Sequence, residues 1–325
     1  MKVRFWGTRG SLPVAQKGAA VRSKIVRALL AADGRRFADA DEAASFVDGE
    51  LDFATGQTYG GATACVEIEL PADEGGDGAF LVCDLGSGVR EFGLDAMKRC
   101  AAGHPRVYHV FLSHLHWDHI MGFPFFVPAF DAAARIVIHS GHADAEQALR
   151  RQQEEISFPV PFDWLRADIS FRTLAPGETY RIGGLDVALM EQHHSHSSYG
   201  YRFTAPDGKS VVFSTDSEHK IDRMEGEADV AGFFAEADLV VCDTMYSLAD
   251  SVSMKEDWGH SSNIVAIDLC HEARARRLAL FHHEPTCDDE AIQRLHRESI
   301  RYEELSRTDS ALEVLCAYDG LALTL

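Results

Sequence analysis

An apolar, strand-like run at residues 107–113 ends directly in a cluster of potential metal ligands. The four side chains fall within six residues, at His114, His116, Asp118 and His119. Imidazole and carboxylate groups suit zinc and related divalent ions, and a turn at the end of a strand can aim such side chains to one side. A histidine-rich surface loop is the alternative, but so specific a spacing favours a metal site.

Short apolar segments with strand character recur along the chain, and segments with helical spacing lie between some of them. The strand-like segments lie at residues 2–6, 64–70, 79–84, 107–113, 135–139, 185–190, 199–204, 210–214, 238–243, 277–282 and 312–324. The spacing and charge pattern predict helices at 142–156, 264–272 and 288–306. Strands interspersed with helices favour a layered α/β domain.

Residues 11–58 stand apart from this pattern, between the first strand and the next. They read as two short helices joined by a polar loop, and Val21, Ile25 and Leu29 share one helix face. Helices with apolar faces need something to cover. We predict that this insertion shapes access to the site or forms the contact of a homodimer. A passive surface addition is the alternative.

The net charge limits the partners that the chain can bind. Lys and Arg total 31 against 51 Asp and Glu, which gives a net charge of −20. Because proteins that bind nucleic acids neutralise phosphates with Lys and Arg, we expect no long RNA or DNA partner. A small anionic substrate remains compatible with this charge, since bound metal ions can dominate the local field.

The cysteines and the first residues of the chain indicate the cellular compartment in which the protein is expected. The seven cysteines are scattered and show no Cys-x-x-Cys spacing, which favours buried thiols in a reducing cytoplasm. The start of the chain alternates as a strand does and is unlike a signal peptide. No stretch approaches the roughly 20 consecutive apolar residues of a membrane span. We therefore expect a cytoplasmic protein without a membrane partner.

The His-x-His-x-Asp-His cluster on a strand exit resembles the signature of the metallo-β-lactamase superfamily. The resemblance extends over nearly the whole chain apart from 11–58. It implies an α/β fold: one domain, 1–325, built as a four-layer αββα sandwich, with a helical insertion after the first strand and metals at one edge between the sheets. It also implies two divalent ions, one bound by His114 and His116 and one by Asp118 and His119. Zinc suits these ligands, and Mn²⁺ or Fe²⁺ can also be accommodated.

The family pattern requires three more ligands, and the first is a histidine near the middle of the chain. In relatives of the phosphodiesterase branch it stands five residues before a strand like Tyr199-Gly200-Tyr201-Arg202. This position is occupied by His194. His193 and His196 are the rival candidates.

The other two ligands are a bridging acid and a late histidine. Asp216 follows a short strand at the family's position, and a carboxylate can bind two metals through its two oxygens. His282, at the end of the run 277–282, aligns with the late histidine, and its rival His283 is then expected to lie behind the ligands or in the pocket. Asp84 matches an aspartate beneath the metal histidines, where a carboxylate fixes the tautomer of an imidazole.

The segment Trp258-Gly259-His260-Ser261-Ser262 indicates which hydrolase the chain resembles. It is similar to the His-Ser-Thr segment of ribonuclease Z and of cyclic phosphodiesterases, whose histidine faces the phosphate. This resemblance implies that His260 is a general acid and that Asp118 also orients the nucleophile, a hydroxide held between two metals. A helix-capping surface histidine is the alternative for His260.

Some family features are missing from this sequence. It has neither the basic arm with which ribonuclease Z grips transfer RNA nor a cysteine cluster for an extra zinc, and Ala62 and Ala64 replace the usual Asn and small polar residue. The prediction is therefore a phosphodiesterase for a small or cyclic phosphodiester. The alternatives are a hydrolase of lactones, lactams or thioesters, and a metal-binding protein with vestigial catalysis.

Overall fold

The computed structural model describes residues 1–219, 229–247, 259–307 and 310–325. In these residues the strands form two seven-stranded sheets. The first sheet contains β1 (Lys2–Gly7), β2 (Cys65–Glu69), β3 (Phe80–Cys83), β4 (Val107–Leu112), β5 (Arg135–Ser140), β6 (Asp168–Thr173) and β14 (Ala322–Thr324). Its order is β14-β1-β2-β3-β4-β5-β6. Strands β3 to β6 run parallel to one another.

The second sheet contains the middle and late strands of the chain. They are β7 (Thr179–Ile182), β8 (Leu185–Gln192), β9 (Ser198–Thr204), β10 (Ser210–Ser214), β11 (Leu239–Asp243), β12 (Arg277–Phe281) and β13 (Glu313–Cys316). Their order is β13-β12-β11-β10-β9-β8-β7. Strands β10 to β13 are parallel, so the carboxyl ends of β10, β11 and β12 meet at one edge.

Helices cover the outer face of each sheet. They are α1 (Gly18–Ala32), α2 (Ala40–Glu50), α3 (Phe53–Gly56), α4 (Val89–Ala101), α5 (Trp117–Ile120), α6 (Ala145–Gln152), α7 (Val230–Phe234), α8 (Asn263–Glu272) and α9 (Asp289–Ser306). The predicted helices at 264–272 and 288–306 match α8 and α9. The helix predicted at 142–156 is shorter, because the chain turns after Gln152 and the side chain of Gln153 bonds to the carbonyl of Val160.

Three apolar clusters separate the layers. Side chains such as Phe5, Phe111 and Phe213 fill the space between the two sheets. A second cluster lies between the first sheet and α4, and a third between the second sheet and α8 and α9. Along β4, Tyr108, Val110 and Leu112 belong to the outer cluster and Phe111 to the inner one, the alternation of a strand buried on both faces. The predicted αββα sandwich is confirmed.

The sequence predicted buried thiols. All seven cysteines lie in the described residues and none forms a disulfide; six are buried and Cys287 is half-buried. None of the described helices combines the length and the apolar character needed to cross a bilayer.

The insertion 11–58 folds into three helices, one more than the sequence predicted. The additional helix, α3, is a single turn whose Phe53 packs against Tyr59 and Tyr318, with ring centroids 4.6 and 4.8 Å away. No side chain of α1 is buried. The insertion is anchored largely through Asp289 at the start of α9, which accepts hydrogen bonds from Lys24, from other side chains of the segment and from the backbone of Tyr59.

Candidate metal centre

The site lies where the carboxyl ends of parallel strands from both sheets face each other. Asp84 follows β3, Asp216 is two residues beyond β10, and His282 follows β12. All three adopt left-handed backbone conformations, with φ of 61°, 45° and 62°. Asp and His tolerate this region better than most residues, and its cost, on the order of 1–3 kcal/mol per residue, is met only where the surroundings fix the backbone. Three of the nine described non-glycine residues with a left-handed backbone therefore lie at the proposed centre.

Two groups of potential ligand atoms lie side by side and share one aspartate. Within each group the atoms lie within 4.8 Å of one another. The first group consists of His114, His116, His194 and Asp216. The second consists of Asp118, His119, Asp216 and His282. All seven side chains predicted as ligands are thus brought together, although they come from four separate segments of the chain.

Asp216 stands between the groups, with one carboxylate oxygen towards each. Its Oδ2 lies 3.6 Å from Nε2 of His114 and 3.8 Å from Nε2 of His194. Its Oδ1 lies 3.1 Å from Nε2 of both His119 and His282. A histidine could not occupy this position in the same way, because its two ring nitrogens point in divergent directions.

The donors in these groups suit divalent cations. Nε2 of His114 is buried and forms no hydrogen bond with any described residue, a costly state unless another partner satisfies it. In the second group, Oδ2 of Asp118 lies 3.2 Å from Nε2 of both His119 and His282. Imidazole nitrogens and carboxylate oxygens that converge in this way fit zinc and similar ions.

The pKa values of the side chains at the centre are shifted by burial and by the neighbouring ionisable groups. Burial lowers the pKa of His114, and the neighbouring His119 lowers it further. Burial opposes protonation of His119 as well, but Asp216, Asp118 and Asp84 outweigh it and raise its pKa. Burial would raise the pKa of Asp118, yet His119 and His282 hold it below its usual range. The carboxylate of Asp118 therefore stays ionised, the state required to bind a metal.

Asp84 occupies the supporting position that the sequence predicted. Its Oδ2 accepts a hydrogen bond from Nδ1 of His119 at 2.7 Å, and both its oxygens accept bonds from Ser113 at 2.8 Å. The hydroxyl of Ser113 also lies 3.1 Å from Nδ1 of His114. These contacts fix the orientation of two imidazoles and leave their Nε2 atoms facing the centre.

The structure distinguishes His194 from its two neighbours. His194 is buried and donates from Nδ1 to the carbonyl of Gly259 at 2.8 Å, while its Nε2 lies 3.2 Å from Nδ1 of His116. His193 and His196 are exposed and belong to neither group. Gly259 must be a glycine, because its φ is 83° and a Cβ atom there would lie 2.3 Å from Nδ1 of His194.

His283 points away from the two groups. Its Nε2 donates to the carbonyl of Ala317 at 2.7 Å, and its ring lies edge-on to Tyr59. Burial lowers its pKa to about 3, so the ring is neutral. Its position is that of a buried structural side chain behind the strand end, with His282 on the side of the groups.

His260 lies beside the second group, and its partner Asp243 escaped the sequence analysis. Nδ1 of His260 donates to Oδ2 of Asp243 at 2.7 Å, and the rings of His260 and His282 stack with centroids 5.2 Å apart. Burial would lower the pKa of His260, but Asp243 raises it to about 9. Asp243, His260 and His282 form a third compact group of potential ligands. Trp258, the first residue of the predicted segment, lies outside the described residues.

A signal for Asp243 was present in the sequence. It ends the apolar run 238–243, just as His282 ends 277–282 and Asp216 follows 210–214. Because β10, β11 and β12 are parallel neighbours, polar residues at their carboxyl ends must come together.

A second contact that the sequence analysis missed comes from the loop after β1. The backbone N–H of Ser11 donates to Oδ2 of Asp118 at 2.7 Å. Gly10 packs directly on the centre, since a Cβ atom there would lie 2.5 Å from Cε1 of His282. The first residue of the insertion is therefore tied to a predicted metal ligand. Local sequence offers little to reveal a backbone donor of this kind.

Comparisons with known proteins indicate the family of the chain. A family model described as "Beta-lactamase superfamily domain" matches residues 82–283, a range that includes all seven predicted ligands. Ribonuclease Z of Halorubrum lacusprofundi is 25% identical over 259 residues, which cover 63% of this chain and 77% of that protein. The protein ML1173 of Mycobacterium leprae is 30% identical over 139 residues, 42% of this chain and about half (47%) of that relative.

Solved structures resemble the whole chain. The metallo-β-lactamase fold protein YhfI from Bacillus subtilis has a TM-score of 0.62 and 17% identity, with 99% of this chain and 98% of that chain covered. A diphosphatase from the PhnP family has a TM-score of 0.58 and 17% identity, with 100% and 97% covered. At this identity the likeness concerns the fold.

Proposed function

The chain belongs to the metallo-β-lactamase superfamily, and on this basis we propose that it is a dinuclear metal-dependent phosphodiesterase acting on a small or cyclic phosphodiester. The observation that carries the proposal is the position of Asp216. One carboxylate oxygen faces His114 and His194, and the other faces His119 and His282. With a divalent ion bound by each group, the centre would supply the stabilisation that phosphoryl displacement needs at the attacking and the leaving oxygen.

In this proposal the two groups hold two divalent ions, zinc being the first choice for so many imidazoles. When bound, such ions supply Lewis acidity and lower the pKa of water towards neutrality. The protein holds the ligands in place through Asp84, Ser113 and the carbonyl of Gly259. Asp118, which accepts a bond from the backbone of Ser11, is in position to orient the nucleophile.

His260 is proposed as the general acid for the leaving group. Its Nδ1 is committed to Asp243, so the protonated ring presents its Nε2–H to a substrate. A pKa of about 9, raised by Asp243 against the effect of burial, keeps that proton in place at neutral pH. Asp243 is then a positioning residue. It fixes the ring orientation and stabilises the imidazolium.

The proposed substrate is small and anionic. A net charge of −20 disfavours a long polyanion, because each phosphate contact depends on a cation. Two of the similar proteins are named as a ribonuclease and a diphosphatase, names that denote cleavage of phosphate bonds. We place the enzyme in the cytoplasm as part of the same proposal, since none of its cysteines is in a disulfide.

The decisive test is a substrate panel on protein of measured metal content. The panel contains cyclic nucleotides, linear dinucleotides and chromogenic diesters, together with a lactone, a β-lactam and a thioester. Hydrolysis of phosphodiesters with about two metal equivalents per chain is the expected result. Selective hydrolysis of the carboxyl compounds would establish the alternative chemistry, and inertness of fully loaded protein would indicate vestigial catalysis.

A further inference from the structure

The loop between β1 and α1 packs against one of the two ligand groups. The backbone N–H of Ser11 donates to Oδ2 of Asp118 at 2.7 Å. A Cβ atom on Gly10 would lie 2.5 Å from Cε1 and 2.6 Å from Nδ1 of His282. Asp118 and His282 both belong to the second group. In the described part of the chain, residues 9–11 form no hydrogen bond with the three histidines of the first group.

Backbone hydrogen bonds fasten this loop to the end of β12. The N–H of Gly10 donates to the carbonyl of His283 at 3.0 Å, and the N–H of His283 donates to the carbonyl of Thr8 at 3.0 Å. Ser11 has a left-handed backbone, with φ of 57°, a conformation that persists only where the surroundings fix it. The loop is thus held in a conformation that directs the N–H of Ser11 to Asp118.

The side chain of Arg9 joins the loop to two other segments of the chain. It is only 1% exposed. Its Nε donates to the carbonyl of Gly60 at 3.0 Å, just beyond the insertion. Its Nη1 donates to the carbonyls of Glu284 and Cys287 at 3.2 and 2.8 Å, in the loop after β12. The guanidinium therefore ties both ends of the insertion to the strand end that carries the late histidine.

A buried guanidinium of this kind is costly to the fold. Burial lowers the pKa of Arg9, and the nearby Asp289 and Asp319 oppose this effect. Replacing a buried charge by an apolar side chain of similar volume is often neutral or even stabilising. Among the described residues, the hydrogen bonds of this side chain all go to backbone carbonyls. What Arg9 fixes is therefore the path of the backbone around the second group.

The first group is supported by a different segment. Nδ1 of His194 donates to the carbonyl of Gly259 at 2.8 Å. Asp84 and Ser113 contact imidazoles of both groups and do not distinguish them. The two groups thus share Asp216, but each also has a support of its own.

We infer that Arg9, Gly10 and Ser11 are positioning residues for the ion of the second group alone, and that they set its affinity separately from that of the first ion. The inference rests on the two-ion centre of the proposed function. The N–H of Ser11 holds the carboxylate of Asp118, and the absence of a side chain on Gly10 leaves room for the ring of His282. Supporting contacts of this kind are typically worth about 10–100-fold in metal affinity. The insertion, which begins in this loop, is then linked to one ion and not to the other.

The test is a chelator titration of the zinc-loaded protein, which measures the affinity of each ion and requires no hydrolysis. The backbone of Gly10 is not left-handed, so Gly10→Ala acts through its methyl group, which meets the ring of His282 and the flexible end of Met245. We expect one ion to bind about 10–100-fold more weakly and the other to keep its affinity. Gly18→Ala is the matched control, because no atom lies within 4 Å of the added Cβ, and it should leave both affinities unchanged.

Arg9→Met provides a second variant that leaves the contact surface of His282 unaltered. It removes the three bonds of the guanidinium and should weaken the same ion selectively. Arg9→Lys should recover part of the affinity, because an ammonium can still donate to carbonyls. Thermal unfolding of each variant is measured in parallel. A role in general stability alone would weaken both ions together and would contradict the inference.

A double variant assigns the two losses to different ions. Gly259→Ala presses on His194 of the first group. In the double variant Gly10→Ala/Gly259→Ala, we expect both ions to be weakened, each by the factor seen in its own single variant. If both losses fell on the same ion, the loop would not be specific for the second group and the inference would be wrong.

The remaining outcomes separate this inference from the proposed function. Equal weakening of both ions by Gly10→Ala, or no weakening of either, would overturn the inference. A single zinc equivalent in the unaltered protein would overturn both the inference and the two-ion centre. Selective weakening in a protein that hydrolyses no phosphodiester would support the inference and overturn the phosphodiesterase proposal. Hydrolysis of diesters without selective weakening would do the reverse.

Discussion

The metal centre and helix α1 use the same kinds of residue in opposite ways. At the centre, charged side chains are buried and face one another, and apolar residues surround them. On α1, the charged side chains of Lys24 and Arg27 turn inward to pair with Asp289 and Glu290 on α9. The apolar residues Ile25 and Leu29 on the same helix are exposed. Lys24 and Asp289 are thus largely buried as a pair, whereas Arg27 and Glu290 stay partly exposed. An apolar stripe does not by itself decide which side of a helix faces the core.

The two regions also differ in how strongly metal binding and turnover depend on their residues. Each ligand of the centre contacts several others, so removing one alters the whole group. Helix α1 contacts the remainder of the chain through ion pairs that contribute modestly when partly exposed, about 0–1 kcal/mol. Changes at the centre should therefore have large effects on metal binding and turnover, whereas changes on the outer face of α1 should affect neither.

The largest effect is expected for Asp216→Ala. Both groups lose their shared oxygen donors, so metal content should fall from about two equivalents to one or fewer. Turnover should fall on the order of 10⁴-fold, because several kcal/mol of transition-state stabilisation depends on the metals. Elemental analysis and diester hydrolysis provide the measurements. Asp238→Ala, which removes a buried aspartate bonded to Ser210 and Arg276, is the control and should keep both metals.

His260→Ala should give the next largest effect, and only on turnover. A general acid contributes on the order of 10²–10⁴-fold, and the loss should be smaller for a nitrophenyl diester than for an alkyl diester, whose leaving group needs the proton. Asp243→Asn should reproduce part of the loss, since it weakens the 2.7 Å contact that orients the ring. Equal losses on both substrates, or release of metal from His260→Ala, would contradict the general-acid role.

Much of the centre could be predicted because its ligands cluster at strand ends. The four residues at 114–119 are close in sequence, and Asp216 and His282 follow apolar runs that any strand prediction locates. The parallel strands then bring these ends together. The choice of His194 over its neighbours rested on resemblance, and in the structure it is the member of the three that is buried among the ligands.

The remaining features depend on contacts between distant segments, which local patterns do not contain. The bond from Ser11 to Asp118 joins residues 107 positions apart. The orientation of α1 is another example: its apolar spacing predicted a helix correctly, but the outward direction of that stripe depends on where Asp289 and Glu290 lie on α9.

A smaller effect than that of His260 is expected for Gly259→Ala. The new Cβ would lie 2.3 Å from Nδ1 of His194, so this histidine must shift or lose its bond to the carbonyl of residue 259. Loss of such a supporting contact typically costs about 10–100-fold in metal affinity. A chelator competition measures it. Gly208→Ala is a matched control, because its φ is 90° but no atom lies within 4 Å of the added Cβ; comparable loss of metal there would attribute the effect to backbone strain alone.

The smallest effect on fold and turnover is expected for Leu29→Glu on α1. Exposed substitutions usually change stability by less than about 0.5 kcal/mol, and Leu29 is 69% exposed, so metal content and kinetics should remain those of the unaltered protein.

Oligomeric state is the property that should change. The prediction that 11–58 forms a dimer contact requires the outward stripe of α1 to be covered by a second copy, and a carboxylate in that stripe would be buried without a partner. Light scattering should then show a weaker dimer for Leu29→Glu. On dilution, this dimer should dissociate at a higher protein concentration than the dimer of the unaltered protein. Leu305→Glu on α9 introduces the same charge at a site that is also 69% exposed and should leave the dimer intact. A monomer in the unaltered protein, or equal weakening by both substitutions, would exclude α1 as the contact. Altered kinetics at constant size would indicate that the insertion instead controls access to the centre, through the bond between Ser11 and Asp118.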